Sequence, residues 1–252
     1  MEYRSVFKRY ELKYLMDSEQ ASAVRRALEE NMVHDRYAFS SIRNVYFDTP
    51  SYLLARRSIE KPMYKEKLRF RSYGKPSENG EIFVELKKKY DSVVYKRRVT
   101  MGLRDAMEWF CGDGSGPDSQ IGQEIGYIKT RYPDIRPAMF LSYERESFCA
   151  EGSDLRITVD SGIVARTEDV SLSSDAPGHS VLPSGYTLME IKTMYGYPVW
   201  LNSVLGSNRL YKSCFTKYGN AYKEMVLGKV PEEFARIPGG EETVAVPAPM
   251  EG

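Results

Sequence analysis

A run of seven residues, Lys65-Glu66-Lys67-Leu68-Arg69-Phe70-Arg71, constrains this chain more than any other feature. Successive side chains of an extended strand point to opposite faces. Lys65, Lys67, Arg69 and Arg71 therefore share one face, and Leu68 and Phe70 share the other. The same parity recurs along the chain. Glu85 and Lys87 oppose Val84 and Leu86, and Glu11 and Lys13 oppose Leu12 and Tyr14. Tyr143 and Arg145 share a face. Arg156, Thr158 and Asp160 oppose Leu155, Ile157 and Val159, and Glu190 and Lys192 oppose Met189 and Ile191. Six of eight candidate strands thus carry ionisable groups on one face and apolar groups on the other.

Strand signals fall at 6–15, 41–48, 64–73, 81–90, 93–101, 137–149, 154–166 and 186–193. Helices are expected between them. Asp17-Ser18-Glu19-Gln20 reads as a capping box opening a helix to about Met32. Thr49-Pro50 reads as an N-cap followed by proline at the first helical position. Further helices are expected at 103–111, 118–131, 198–210 and 216–228, and 168–185 reads as a long surface loop. Gly112–Pro117 is a connector and not a phosphate loop, since no Gly-Lys-Ser/Thr follows it. Residues 1–230 are expected to form one domain, and 231–252, rich in Pro, Gly and Glu, a disordered tail.

The polar faces can be accommodated in an open sheet with helices on one side, or in a barrel with a polar lumen and helices outside. A membrane barrel also has a polar lumen, but its outer band faces lipid and leaves no place for wrapping helices. No apolar run is long enough to span a bilayer and no signal peptide opens the chain. Three scattered cysteines (Cys111, Cys149, Cys214) fit neither a disulfide framework nor a zinc site, so a cytoplasmic setting is expected. The two histidines, His34 and His179, make histidine-based chemistry a poor explanation.

The net charge is +1, from 36 basic and 35 acidic side chains, so the placement of charge matters more than its total. Neighbours two apart on a strand stand about 6.7 Å apart, and like charges at that distance repel by about 2.5 kcal/mol at an effective dielectric of 20. A lumen of about ten such cations is costly when empty and makes most sense as a polyanion site. Glu11, Glu85 and Glu190 are too few to neutralise it. Each carboxylate can pair with a neighbouring cation, or hold a divalent ion that bridges phosphate oxygens. Glu190 is the preferred metal residue because its strand offers a single lysine beside it; Glu11 and Glu85 are the other candidates.

Several of these segments are familiar in order. Phe7-Lys8-Arg9-Tyr10-Glu11-Leu12-Lys13-Tyr14, Lys67–Arg71, Val84–Lys87, Tyr143–Phe148, Leu155–Asp160, Met189–Lys192 and Phe215-Thr216-Lys217 resemble the VTC-type polyphosphate polymerase domain. Tyr46-Phe47-Asp48-Thr49-Pro50 resembles a signature of the wider triphosphate tunnel metalloenzymes. The resemblance covers about residues 3–228. It implies an α+β fold, a closed eight-stranded antiparallel β-barrel tunnel with a basic lumen wrapped by helices. It also implies transfer of the terminal phosphate of ATP onto polyphosphate with Mn²⁺ or Mg²⁺. By position, Lys13, Arg69, Arg71, Lys87, Lys96, Arg145, Arg156 and Lys217 would bind phosphate, Tyr143 and Thr216 would add hydroxyl contacts, and Glu190 would hold the metal. Lys65, Lys67 and Lys192 extend the same face. Cys214 stands where eukaryotic members carry a basic residue.

Two other functions compete with this expectation. Tunnel triphosphatases carry an N-terminal Glu-x-Glu-x-Lys pattern, whereas this chain has Arg9-Tyr10-Glu11-Leu12-Lys13, with Arg in one acidic position. That difference favours chain binding over hydrolysis. The other is a non-catalytic polyphosphate binder. Relatives in eukaryotes work within membrane complexes, so a membrane partner would be a separate chain. Nucleic acid is disfavoured, because the basic stripes lack the interleaved aromatics of a single-strand groove.

Overall fold

The computed structural model describes residues 10–91, 93–231 and Phe234. Residues 6–9 of the first expected strand, and all of the expected tail except Pro231 and Phe234, lie outside them. The chain runs β1 (Tyr10–Met16), α1 (Ser18–Asn31), β2 (Val33–Asp48), α2 (Leu53–Glu60), β3 (Tyr64–Tyr73), β4 (Glu81–Tyr90) and β5 (Val93–Gly102). It continues through α3 (Leu103–Cys111), α4 (Gln120–Arg131), β6 (Arg136–Cys149), β7 (Arg156–Arg166), β8 (His179–Ser180), β9 (Thr187–Thr193), α5 (Val199–Ser207) and α6 (Lys217–Met225).

The strands form one antiparallel sheet in the order β1-β9-β7-β6-β2-β3-β4-β5, with β8 pairing to β7. Two expectations are corrected here. The sheet has nine strands, because the loop after β7 contributes the short β8, whose His179 and Ser180 pair with Ala165 and Val164. Among the described residues it is also not a closed barrel, since β1 and β5 form no ladder with each other. Parity reports which face a residue occupies and is silent on whether the two edges meet. The sheet nevertheless curls far enough for Glu11 on β1 to reach Lys87 on β4 at 3.6 Å.

Apolar residues clothe both sides unequally. On the convex side Leu68, Phe70, Val84 and Leu86 pack under α3 and α4 through Trp109, Phe110, Ile125 and Ile128. Ile157, Val159, Met189 and Ile191 pack under α1 and α5 through Val24, Leu28, Leu201 and Leu205. On the concave side α6 lies inside the curl, with Tyr218, Ala221 and Tyr222 against Tyr46, Met139, Tyr143 and Leu188. Phe234 is buried in this cluster beside Phe215, their rings 6.0 Å apart. Each such side chain contributes about 1.5–3 kcal/mol by leaving water, and together they fix where α6 delivers its N-terminus.

Helix α1 begins as expected, with Asp17 accepting from the Gln20 N–H at 2.9 Å and the Gln20 side chain accepting from the Asp17 N–H at 3.1 Å. Helix α2 does not. It starts at Leu53 after a left-handed Tyr52 (φ 52°), so Pro50 stands before the first helical turn and not within it. Thr49 still caps it, its Oγ1 accepting from the Leu53 N–H at 3.1 Å, and the residue before it adds to the cap. The buried Asp48 carboxylate accepts from the N–H groups of Leu54 (2.9 Å) and Ala55 (2.8 Å) and from the Tyr218 hydroxyl (2.7 Å). One carboxylate thereby ties β2, α2 and α6 together.

Candidate functional site: a cation-lined channel

The polar faces of β1, β3, β4, β6 and β9 converge on a channel closed from within the curl by the start of α6. Its cavity is about 270 Å³ and is lined by nine Lys and Arg side chains against three carboxylates. Lys13, Lys67, Arg69, Arg71, Lys87, Lys96, Tyr143, Arg145, Glu190, Lys192, Thr216 and Lys217 all line it, as do Glu11 and Glu85. Strand register explains the assembly. Lys67, Lys87 and Lys96 stand side by side across β3, β4 and β5, and Arg69, Glu85 and Arg98 form the next tier.

The carboxylates sort these cations into two groups. Arg69 Nε and Nη2 each lie 2.8 Å from Glu85 Oε2, and Lys96 Nζ and Arg98 Nε each lie 2.7 Å from Oε1. Burial alone would raise the Glu85 carboxyl, but Arg69 and Lys96 hold it well below the usual range. Across the channel Arg145 grips Asp160 with two bonds of 2.6 and 2.7 Å. Lys217 bridges Asp160 (2.5 Å) and Glu190 (3.0 Å). Burial opposes charge on both carboxyls, yet Lys217 and its neighbours keep them ionised and they in turn raise Lys217. Tyr143 lies beneath Lys217 and Arg145, 4.7 and 5.1 Å from its ring centre. Burial favours its neutral phenol, but those two cations lower its pKa on balance.

Lys67 and Arg71 differ from the rest: among the described residues neither has a carboxylate within 4.0 Å. Arg71 is 7% exposed, its Nε has no hydrogen-bond partner, and its Nη2 meets the Tyr73 hydroxyl at 3.4 Å. Burial pulls its guanidinium below the usual value. Lys67 is half-buried, and burial, Lys13 and Lys87 hold its ammonium well below the ordinary lysine value. A buried charge without a partner is destabilising, so Lys67 and Arg71 are the uncompensated cations among the described channel residues.

Most of the residues expected from strand parity and from the family resemblance line this one cavity. Sequence reasoning missed Arg98, which lies two residues beyond Lys96 on the same strand face, and gave Asp160 no role although it lay on the polar face of β7. Two expected residues stand apart. Arg156 is exposed at the start of β7, opposite Lys192 in register, and does not line the cavity. Lys65 lines an adjoining chamber of about 650 Å³ with Lys61, Lys89 and Cys214. The reason for preferring Glu190 as a metal residue is also corrected. Four cations surround it: Lys217 at 3.0 Å, Lys192 at 3.2 Å, and Lys13 and Arg145 at 3.8 Å.

A divalent ion can still be accommodated, within limits. Among the described residues no three His, Cys, Asp or Glu side chains form a metal cage. Glu11 and Glu190 both face the Lys13 ammonium, at 3.4 and 3.8 Å. Magnesium typically takes one or two carboxylates and completes its shell with phosphate and water. These residues fit an ion that arrives with phosphates, not one enclosed by protein.

A curled antiparallel sheet around a cation-lined channel defines the triphosphate tunnel class of folds. The chain belongs to the VTC domain family, whose model matches residues 8–226. Its fold is similar to that of a candidate adenylate cyclase from Bacillus halodurans, at 14% identity and a TM-score of 0.51, covering 84% of this chain and 94% of that one. It is also similar to a candidate adenylyl cyclase from Hippeastrum with a dominant triphosphatase activity, at 14% identity and a TM-score of 0.51, covering 88% and 97%. No curated protein sequence matches the chain significantly.

Proposed function

We propose that this protein is a polyphosphate polymerase that moves the γ-phosphate of ATP onto a polyphosphate chain held in the channel. The observation that carries this reading is the excess of cations over carboxylates, concentrated at Lys67 and Arg71, which lack acidic partners. Every channel carboxylate is already engaged by lysine or arginine, which suits cation-rich walls around a polyanion better than a carboxylate array built around metal and water.

The step needs no protein nucleophile. An oxygen at the polyphosphate end attacks the γ-phosphorus, the bond from that phosphorus to the β,γ-bridging oxygen breaks, and ADP leaves. Catalysis is then positioning and charge stabilisation. Arg69, Arg71 and Arg145 present paired donors to the transferred group. Lys13 and Lys217 neutralise the phosphates beside it, while Lys65, Lys67, Lys87, Lys96 and Lys192 hold the chain. Arg156 is an outer contact at the rim. Thr216 accepts from the Gly219 N–H through its oxygen at 3.1 Å, which leaves its own O–H to donate to phosphate, as Tyr143 can. Glu190, with Glu11, would hold a Mn²⁺ or Mg²⁺ ion that supplies charge neutralisation at the phosphates.

Arg71→Ala tests the assignment. Loss of a charged hydrogen bond of about 1.5–3 kcal/mol should weaken tripolyphosphate binding at least tenfold and reduce ATP turnover. The same variant should unfold no more easily than wild type, because it removes an uncompensated charge. Unchanged binding and unchanged turnover would remove Arg71 from the site.

A further inference from the structure

We infer that the two mouths of the channel are chemically distinct, and that the pair Tyr37–Tyr73 at one of them is a stacking platform for the base of the nucleoside triphosphate. This rests on the channel being a triphosphate site and adds which end receives the nucleoside.

The polar face of β3 reads, in order, Lys65, Lys67, Arg69, Arg71, Tyr73. Eight residue steps separate its ends, about 27 Å of strand. At the Lys65 end the adjoining chamber is lined by Lys61, Lys65 and Lys89, and its one aromatic ring, Phe215, is buried in the core. At the other end, just beyond the cavity lining and next to Arg71, the residues turn aromatic. Tyr73 is 48% exposed and Tyr37 59% exposed, and their rings stack with centres 6.0 Å apart and planes 21° from parallel. Phe83 meets Tyr73 edge-on at 5.9 Å and carries the Arg98 guanidinium 4.4 Å above its ring.

Chain geometry accounts for Tyr37. The β2–β6 register slips between His34 and Phe39, so Tyr37 sits on a bulged segment. Bulges re-aim side chains, and this one brings Tyr37 over the end of β3. The two half-exposed, stacked phenols offer an aromatic surface, and their contact with Arg71 ties that surface to the channel. Arg71, the buried guanidinium without a carboxylate, bonds to the Tyr73 hydroxyl and lies 4.9 Å from its ring. A base on the tyrosines therefore puts its phosphates next to Arg71 and Arg69. An inorganic chain, which has no ring to stack, is suited to the lysine mouth. The two substrates would then meet end to end, as phosphoryl transfer from one to the other requires.

The test compares two probes on one site, ATP and tripolyphosphate, each titrated with Mg²⁺ into wild type, Tyr37→Ala, Tyr73→Ala and Tyr73→Phe by calorimetry. Stacking on an aromatic side chain makes a difference of about tenfold on removal. ATP affinity should fall about tenfold in both alanine variants and hold in Tyr73→Phe, while tripolyphosphate affinity stays within about twofold throughout. Equal losses for both probes, or no loss for ATP, would overturn the platform while leaving the channel as a phosphate site. Failure of wild type to bind either probe would overturn the channel reading itself, and the platform with it.

Discussion

Lys67 and its neighbours show how the channel's chemistry reaches a single side chain. Lys13, Lys87, Lys65 and Arg69 all face its ammonium, and burial and repulsion together disfavour the charged form. Lys96 is displaced the same way, down to about 8, by burial that Glu85 offsets in part. Both lysines have folded-state values below their ordinary one near 10.4. The sign follows directly: as pH rises towards and through these lowered values the channel loses positive charge, whereas a bound polyanion restores the protons. Binding of tripolyphosphate should therefore take up protons and weaken as pH rises from about 7 to 9.5. Calorimetry in two buffers of different ionisation enthalpy should show the uptake, and Lys67→Met should flatten the pH dependence. A variant with the same slope as wild type would contradict it. Lys67 was legible from strand parity, whereas Lys96 entered only through the family resemblance. Their pairing was not, because Asp160 and Glu85 find their partners across strands and parity carries no distances.

Among the elements, α6 matters most to the site, since it carries Thr216 and Lys217 into the channel. Its position depends on Asp48, whose carboxylate is bonded by Tyr218 as well as by Leu54 and Ala55. Tyr218 also stacks on Tyr46 with ring centres 4.2 Å apart. The segment Tyr46-Phe47-Asp48-Thr49-Pro50 is thus a clamp on two helices, and its carboxylate does not line the channel. Asp48→Ala leaves three buried donors without an acceptor and should lower stability by about 3–5 kcal/mol, read as a shift in the urea midpoint. A shift below about 1 kcal/mol would mean that α6 is held elsewhere. Local signals located every α-helix to within a few residues, as with the Asp17–Gln20 capping box. At the start of α2 they found the Thr49 cap but set the first turn too early, because the chain first turns through a left-handed Tyr52 and Asp48 caps the next two N–H groups.

At the scale of the molecule the sheet is a curl with a seam. Lys87 and Glu11 bridge the gap between β4 and β1 at 3.6 Å, but no backbone ladder joins β1 to β5. A tunnel can form from such a curl because α6 fills the remaining space, a tertiary arrangement that no strand pattern encodes. The described residues contain no helix long and apolar enough to cross a membrane. The described residues place an excess of cations around a narrow space. On the proposed reading it would take two phosphate ligands, one ending in a nucleoside and one not. The decisive measurement is product analysis after incubation of the protein with ATP and Mn²⁺, with polyphosphate separated by length on a gel. The account predicts ADP together with a ladder of chains that lengthens with time and is reduced in Arg71→Ala. Release of free phosphate with no chain growth would contradict it and assign the channel to hydrolysis.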